Sequence, residues 1–178
     1  MKDVEMLHGS KLVHKLNDLI QLDFDAIVSY DHALEHCDDA QVHRDLSLFR
    51  ADHLHHIDVL GRVIRALDGT PIEAHRDLKG LVLEGITTVR SLGGTLGALR
   101  AMRTNEKLTN RIYRKAAAIA LAPIARVVID QNYTDEQRHL AVIQAHIERM
   151  SGTAVVTSTG IPSRVPFDER DTIPTHRR

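Results

Sequence analysis

The chain has 178 residues, enough for one domain with a sizeable hydrophobic core. Hydrophobic residues make up 43% of it, aromatic residues only 3%, and tryptophan is absent, which favours packed helices over a β-sandwich. The net charge of −1 gives no indication of binding to nucleic acid or to an anionic membrane. The single Cys37 excludes an intrachain disulfide and a cysteine-based zinc or iron–sulfur site.

The histidine content is the one compositional feature that indicates metal binding, because 12 histidines is a high number for this length. No signal peptide or membrane-spanning segment is visible, so we expect a cytoplasmic protein without a membrane partner.

Four long segments have the hydrophobic period of an amphipathic helix. They predict helices over residues 10–37, 40–68, 95–120 and 124–150. Short turns at Asp38 and Pro123 separate the first pair and the second pair, and Gly69 followed by Pro71 predicts the end of the second helix.

The connection over residues 69–94 is much longer, and its apolar residues predict a short helix near 75–91. Two helical hairpins joined by one long crossover form an antiparallel four-helix bundle over residues 10–150. Residues 1–9 are predicted to be a loose lead-in. Residues 151–178 are rich in Ser, Thr, Pro and Arg, and predict an irregular tail.

The most informative motif is the run from Asp135 to His139. Glu136 and His139 are three residues apart, so a helix places this carboxylate and imidazole on one face, one turn apart. Such Glu-x-x-His pairs supply ligands in the core of di-metal helical bundles.

A partial copy of this pattern occurs 83 residues earlier in the chain. Asp52, His53 and His56 precede Asp135, Glu136 and His139 by this offset at every position. An acid followed seven residues later by a tyrosine is also duplicated, as Asp23 with Tyr30 and as Glu106 with Tyr113. The sequence therefore predicts a duplicated constellation of acids, histidines and tyrosines.

The members of this constellation lie on the apolar stripes of the four predicted helices, at roughly 20–25 Å from the turns. We expect them to meet near the middle of the bundle and to bind metal there. The predicted ligands are Asp23, His53, His56, Glu106, Glu136 and His139. His55 falls off the stripe. The alternative is that Asp23, Glu106 and the Glu136–His139 pair lie in water on helix surfaces.

The run Asp135-Glu136-Gln137-Arg138-His139 resembles the Asp-Glu-x-Arg-His motif of the ferritin-like di-iron carboxylate superfamily. Asp23 followed by Ala26, Ile27 and Tyr30, and His56 followed by Gly69-Thr70-Pro71, resemble the first hairpin of bacterioferritin and rubrerythrin. The resemblance covers about residues 10–150.

The resemblance implies a role for each of these residues. Asp23 and Glu106 would be terminal carboxylates on different metals, Glu136 would bridge the metals, and His56 and His139 would each supply a nitrogen. Asp135 and Arg138 would orient the ligand histidines, with Asp52 as the copy of Asp135 in the first hairpin. Tyr30 and Tyr113 would form hydrogen bonds near the site or act as redox neighbours.

The sequence departs from the superfamily at Asp23, where the family has Glu, and at His53, where the family has a bridging Glu. A neutral imidazole has one free lone pair, so it does not bridge two metals as a carboxylate does. Three carboxylates and three imidazoles stabilise two trivalent irons less well, so a mononuclear, mixed or zinc site is the alternative to di-iron. If His53 does stand at the bridging position, His53→Glu should raise iron affinity.

The resemblance implies a metalloprotein that binds iron or manganese and catalyses Fe(II) oxidation or peroxide reduction under oxidative stress, with O2 or peroxide as the reactant. The chain lacks a cysteine-rich rubredoxin module, so electrons would come from Fe(II) or an external donor. The alternative is a non-enzymatic stress or assembly module with a vestigial or structural metal site. A homo-oligomer is expected, with a dimer as the default.

Overall fold

The computed structural model describes residues 9–74, 93–119 and 122–152. Across these ranges the chain forms four α-helices and no strand, which confirms the predicted all-α fold class. The helices are α1 over Gly9–Leu34, α2 over Ala40–Ala66, α3 over Gly94–Ala117 and α4 over Pro123–Met150. Each helix begins and ends within three residues of its predicted bounds.

Several predictions fall on other parts of the chain. The short helix near 75–91, most of the lead-in over 1–9 and nearly all of the tail over 151–178 lie outside the described residues. None of the described helices is long and apolar enough to cross a membrane.

The helices form an antiparallel bundle in which α1 packs on α2 and α3, and α4 packs on α3 and α2. The directions follow from the pairs of residues that meet. Tyr30 and Tyr113 bind Glu106 and Asp23, so α1 and α3 run in opposite directions. Asp45 binds His146 near one end, and His56 meets Asp135 near the middle, so α2 and α4 are also antiparallel.

This arrangement makes α2 and α3 parallel, and it explains the long crossover. The first turn of α3 lies beside the α1–α2 turn, because the Thr95 hydroxyl accepts hydrogen bonds from the backbone N–H groups of Asp38 and Asp39, at 2.9 and 3.2 Å. Helix α2 ends at the opposite end of the bundle. Leu67 and Gly93 therefore lie at opposite ends of the bundle.

Two apolar clusters fill the ends of the bundle and leave a polar layer between them. One cluster contains Leu16, Ile64 and Ile129, and the other contains Leu46, Met102 and Ile143, all fully buried. The predicted metal ligands lie between these clusters along each helix. The hydrophobic ends therefore determine where the polar layer can form.

The first predicted helix ends at Leu34 rather than at Cys37, because the chain turns there: the backbone N–H groups of His36 and Cys37 donate to the carbonyls three residues earlier, of Ala33 and Leu34, at 3.2 and 3.3 Å. The Asp39 carboxylate caps α2 by accepting hydrogen bonds from the backbone N–H groups of Gln41 and Val42, both at 3.0 Å. Its second oxygen accepts a hydrogen bond from Arg149 at 3.1 Å, which ties the start of α2 to the end of α4.

Gly69 has a different role from the helix-ending role that the sequence predicts. The left-handed residue after α2 is Asp68, with φ of 57°, whereas Gly69 is needed for a close approach to α1. A Cβ atom on Gly69 would lie 2.7 and 2.8 Å from the two γ carbons of Val13, and 3.0 Å from Cγ2 of Ile64. The glycine therefore allows the end of α2 to pack against α1.

We expect Gly69→Ala to lower the free energy of unfolding by about 1–3 kcal/mol, because the branched Val13 side chain cannot give way easily. Chemical denaturation measures this change. Gly61→Ala is the matched control, because a Cβ there meets its nearest atom at 3.5 Å and should be tolerated. Val13→Ala should recover part of the loss in the Gly69→Ala background. Equal stability of the Gly69 and Gly61 variants would contradict the close packing.

We expect Asp39→Ala to lower the Tm by about 2–4 °C, because it removes both the cap of α2 and the tie to α4. The Val42 N–H and the Arg149 guanidinium hold the pKa of the Asp39 carboxyl below its usual value. This stabilisation is therefore complete above the unfolded pKa of about 3.9 and is lost as the pH falls through the lower folded pKa.

Thermal unfolding between pH 2 and pH 8 tests this dependence. Asp38→Ala is the control, because Asp38 binds Thr95 through its backbone N–H rather than through its side chain. A Tm difference that persists unchanged in strong acid would show that the Asp39 carboxylate is not its source.

Candidate metal centre

The structure brings all six predicted ligands together in the middle of the bundle, and each of them is fully buried. They are Asp23 on α1, His53 and His56 on α2, Glu106 on α3, and Glu136 and His139 on α4. Three carboxylates and three imidazoles thus face one another in a layer that solvent does not reach.

The six side chains form two overlapping groups of four. Asp23 and His56 complete the first group, Glu106 and His139 complete the second, and His53 and Glu136 belong to both. Within each group, one donor atom from every residue lies within 4.8 Å of the others. Each group could therefore hold one metal ion.

The 83-residue offset of the sequence appears in space as an approximate twofold relationship. The Tyr30 hydroxyl donates to Oε1 of Glu106 at 2.5 Å, and the Tyr113 hydroxyl donates to Oδ2 of Asp23 at 2.6 Å. Each half of the duplication therefore supplies the tyrosine that binds the acid of the other half. Burial and the nearby carboxylates raise the pKa of both tyrosines well above its usual value, so both hydroxyls keep their protons and act as donors.

Two histidines of the layer are each oriented by an aspartate from the other half of the duplication. Asp52 Oδ2 lies 3.0 Å from Nε2 of His139, and Asp135 Oδ2 lies 3.5 Å from Nε2 of His56. Arg138 donates to both of these aspartates at 2.9 Å. A carboxylate that accepts the Nε2 proton leaves the Nδ1 lone pair of each histidine directed into the layer.

Several buried polar atoms in this layer have no hydrogen-bond partner, and they test whether the residues fit a metal. They are Nε2 of His53, Nδ1 of His56, Nδ1 of His139 and both carboxylate oxygens of Glu136. Leaving such atoms without a partner costs about 1–3 kcal/mol each. They are also the donor atoms that a cation needs, and imidazole with carboxylate suits iron, manganese and zinc. The residues therefore fit a metal centre.

The pKa values of the three carboxylates depend on their burial and on the nearby histidines. Burial raises the pKa of Glu136 well above its usual value, and the charges of Glu106 and Asp23 add to this despite the opposing charge of His53. Burial also acts to raise the pKa of Asp23 and Glu106, but the hydrogen bonds and charges of the histidines outweigh it and lower both values. Glu136 is therefore the one carboxylate of the three whose pKa is raised.

The pKa values of His53 and His139 shift in opposite directions. Burial alone would lower the pKa of His53, but the charge of Glu136 and the contacts with Asp23 and Glu106 raise it well above its usual value. Burial lowers the pKa of His139, which the Asp52 carboxylate only partly opposes. His53 therefore holds its second ring proton more tightly than His139 does.

Four residues near the centre were not predicted from the sequence. Thr109 donates to Oε2 of Glu106 at 3.4 Å, and Asn132 donates to the Tyr113 hydroxyl at 3.3 Å. Asn110 donates to the backbone carbonyls of Glu106 and Glu136, at 2.9 and 2.7 Å.

The fourth is Phe49, whose ring stacks on His139 with centroids 4.3 Å apart. Thr109 and Asn132 follow the inward stripes that carry Glu106 and Glu136, so helical spacing could have identified them.

The residues predicted to orient the ligands also lie next to the buried layer. Tyr30, Asp52, Tyr113, Asp135 and Arg138 all contact a predicted ligand or its partner. His55 is exposed, and the structure does not bring it to the centre. The surface alternative for Asp23, Glu106, Glu136 and His139 is wrong, because all four are fully buried.

Two solved structures share this fold. The chain superposes with a TM-score of 0.68 and 13% identity on a two-domain protein from Anabaena variabilis with DJ-1/ThiJ/PfpI-like and ferritin-like domains. The match covers 92% of this chain but 42% of that protein, so this chain spans about two fifths of its length.

A ferritin-like, diiron-carboxylate protein from Bacillus anthracis matches with a TM-score of 0.50 and 19% identity, over 79% of this chain and 93% of that one. Both structures have the ferritin-like bundle, which confirms the predicted fold.

No curated protein sequence matches the chain. The family described as Domain of unknown function (DUF2383) matches residues 11–119, which include α1, α2 and α3 and four of the six clustered side chains. The chain is therefore a member of the DUF2383 family, built on a ferritin-like bundle.

Proposed function

We propose that this protein is a ferritin-like metalloprotein that binds two iron or manganese ions in its bundle and catalyses Fe(II) oxidation or peroxide reduction. The observation that carries the proposal is the set of unpartnered donor atoms on His53, His56, Glu136 and His139, all buried and directed at one another. A cation in each group would give these atoms the partners they lack.

In this proposal, Asp23 and His56 would hold one ion and Glu106 and His139 would hold the other, and Glu136 belongs to both groups of donors. Zinc is the alternative metal, because the same donors suit it.

Asp52 and Asp135 fix the orientation of the ligand histidines, and Arg138 holds both aspartates in place. Bound iron would supply the electron transfer to O2 or peroxide. The apolar clusters on either side exclude water, and the tyrosine hydroxyls keep Glu106 and Asp23 in position.

A second candidate function is a non-enzymatic stress or assembly module. Three hydrogen bonds within the layer favour it, because Tyr30–Glu106, Tyr113–Asp23 and His53–Asp23 partly satisfy the site without metal. They leave both carboxylate oxygens of Glu136 without a hydrogen-bond partner, and this candidate does not explain why these buried atoms are left so. A cytoplasmic location and a homodimer remain predictions.

Metal loading separates these functions. We expect about two iron ions per chain after anaerobic loading with Fe(II), measured by elemental mass spectrometry, and faster loss of Fe(II) than in buffer on exposure to air or peroxide. His139→Ala should abolish most of the binding and the reaction. His146→Ala is the matched control, because His146 is also buried on α4 but binds Asp45 instead.

Zinc or a single ion that is lost in His139→Ala would support a modified binding site without oxidase activity. No metal under any loading condition would overturn the enzyme proposal and favour the assembly module.

We expect Glu136→Gln to stabilise the metal-free protein by about 1–3 kcal/mol at neutral pH, because on folding the wild type must either bury the charge of this carboxyl without a hydrogen-bond partner or protonate it, whereas Gln is already neutral. The same change should eliminate most of the rise in Tm that added metal causes in the wild type. Thermal unfolding with and without chelator measures both effects. Glu35→Gln is the control, because 66% of the Glu35 side chain is exposed. A metal-free Glu136→Gln protein that melts below the wild type would contradict this account of the buried charge.

A further inference from the structure

His53 belongs to both groups of donors, and it directs a different ring nitrogen towards each. Its Nδ1 lies 3.0 Å from Oδ1 of Asp23 and 3.5 Å from Oε1 of Glu136, on the side of the first group. Its Nε2 lies 3.7 Å from Oε1 of Glu106, on the side of the second group, and has no hydrogen-bond partner. The ring therefore lies between the two groups with one nitrogen on each side.

The position of His53 in the duplicated pattern supports a shared role. The 83-residue offset relates Asp23 to Glu106 and His56 to His139, which are the residues that differ between the groups. The same offset relates His53 to Glu136, and these are the residues that the groups share. His53 thus occupies the position in the first half that Glu136 occupies in the second.

We propose that His53 binds both metal ions, through Nδ1 to the ion held by Asp23 and His56 and through Nε2 to the ion held by Glu106 and His139. This inference rests on the proposed metal function and names the ligand that connects its two ions.

The chemistry of the ring is consistent with this role. A histidine whose two nitrogens both bind metal has lost its last ring proton, which passes to solvent, and it carries one negative charge. Two divalent ions beside three carboxylates have one excess positive charge, and an imidazolate at His53 removes it. His53 would therefore restore the charge balance that a fourth carboxylate gives.

The direct test is nuclear magnetic resonance of the full chain labelled with 15N-histidine and loaded with 113Cd(II), a spin-active divalent probe. We expect one-bond 113Cd–15N splitting on both ring nitrogens of His53 and on a single nitrogen of His56 and of His139. No ring N–H proton should remain on His53. The His53→Gln variant identifies the His53 signals by their absence.

Two cadmium ions per chain with splitting on only one His53 nitrogen would overturn the shared ligand and leave the metal centre intact. No bound cadmium would overturn the metal centre itself, so the two failures are distinguishable.

Metal titration adds a second readout. His53→Gln should weaken binding of the second ion by roughly tenfold or more, whereas His53→Glu, which again offers two donor atoms, should retain both ions. Equal binding by the wild type and His53→Gln would contradict the proposal.

Discussion

The buried layer of charged side chains is the constraint on which the rest of this structure depends. Carboxylates and imidazoles without access to water are tolerated only when they bind one another or a cation. Here the contacts of Asp23 and Glu106 with tyrosines and histidines provide part of that compensation. Glu136 has no hydrogen-bond partner, and its Oε1 lies 3.5 Å from Nδ1 of both His53 and His56. Leu, Ile and Ala clusters above and below the layer supply the hydrophobic stabilisation that allows it to stay buried.

The reciprocal bonds explain why the four helices keep one register. Tyr30 and Tyr113 connect α1 with α3, and Asp52 and Asp135 connect α2 with α4. Because each contact crosses from one half of the duplication to the other, neither hairpin could form this layer alone. The donor groups are therefore complete only when the two hairpins pack against each other.

His53 is the point at which the two halves differ. A carboxylate in its place would make the layer nearly symmetric, with four acids and two histidines. An imidazole keeps a donor atom on each side, at 3.0 Å from Asp23 and 3.7 Å from Glu106, but it exchanges oxygen for nitrogen and depends on proton loss for its negative charge. In the proposed metal centre, this exchange would make the choice of metal depend on His53.

The sequence by itself determined the four helices, their hairpins and the six inward side chains, because helical periodicity and the 83-residue offset are properties of the chain alone. It could not decide how Gly69 packs against Val13, since that contact joins residues from different helices. Nor could it show that Asn110 binds two backbone carbonyls or that Phe49 stacks on His139. Spacing along one helix shows which face a residue occupies, but only packing between helices decides which atoms meet. That is why His53 could be predicted as a ligand, while the direction of its two nitrogens emerged only in the tertiary structure.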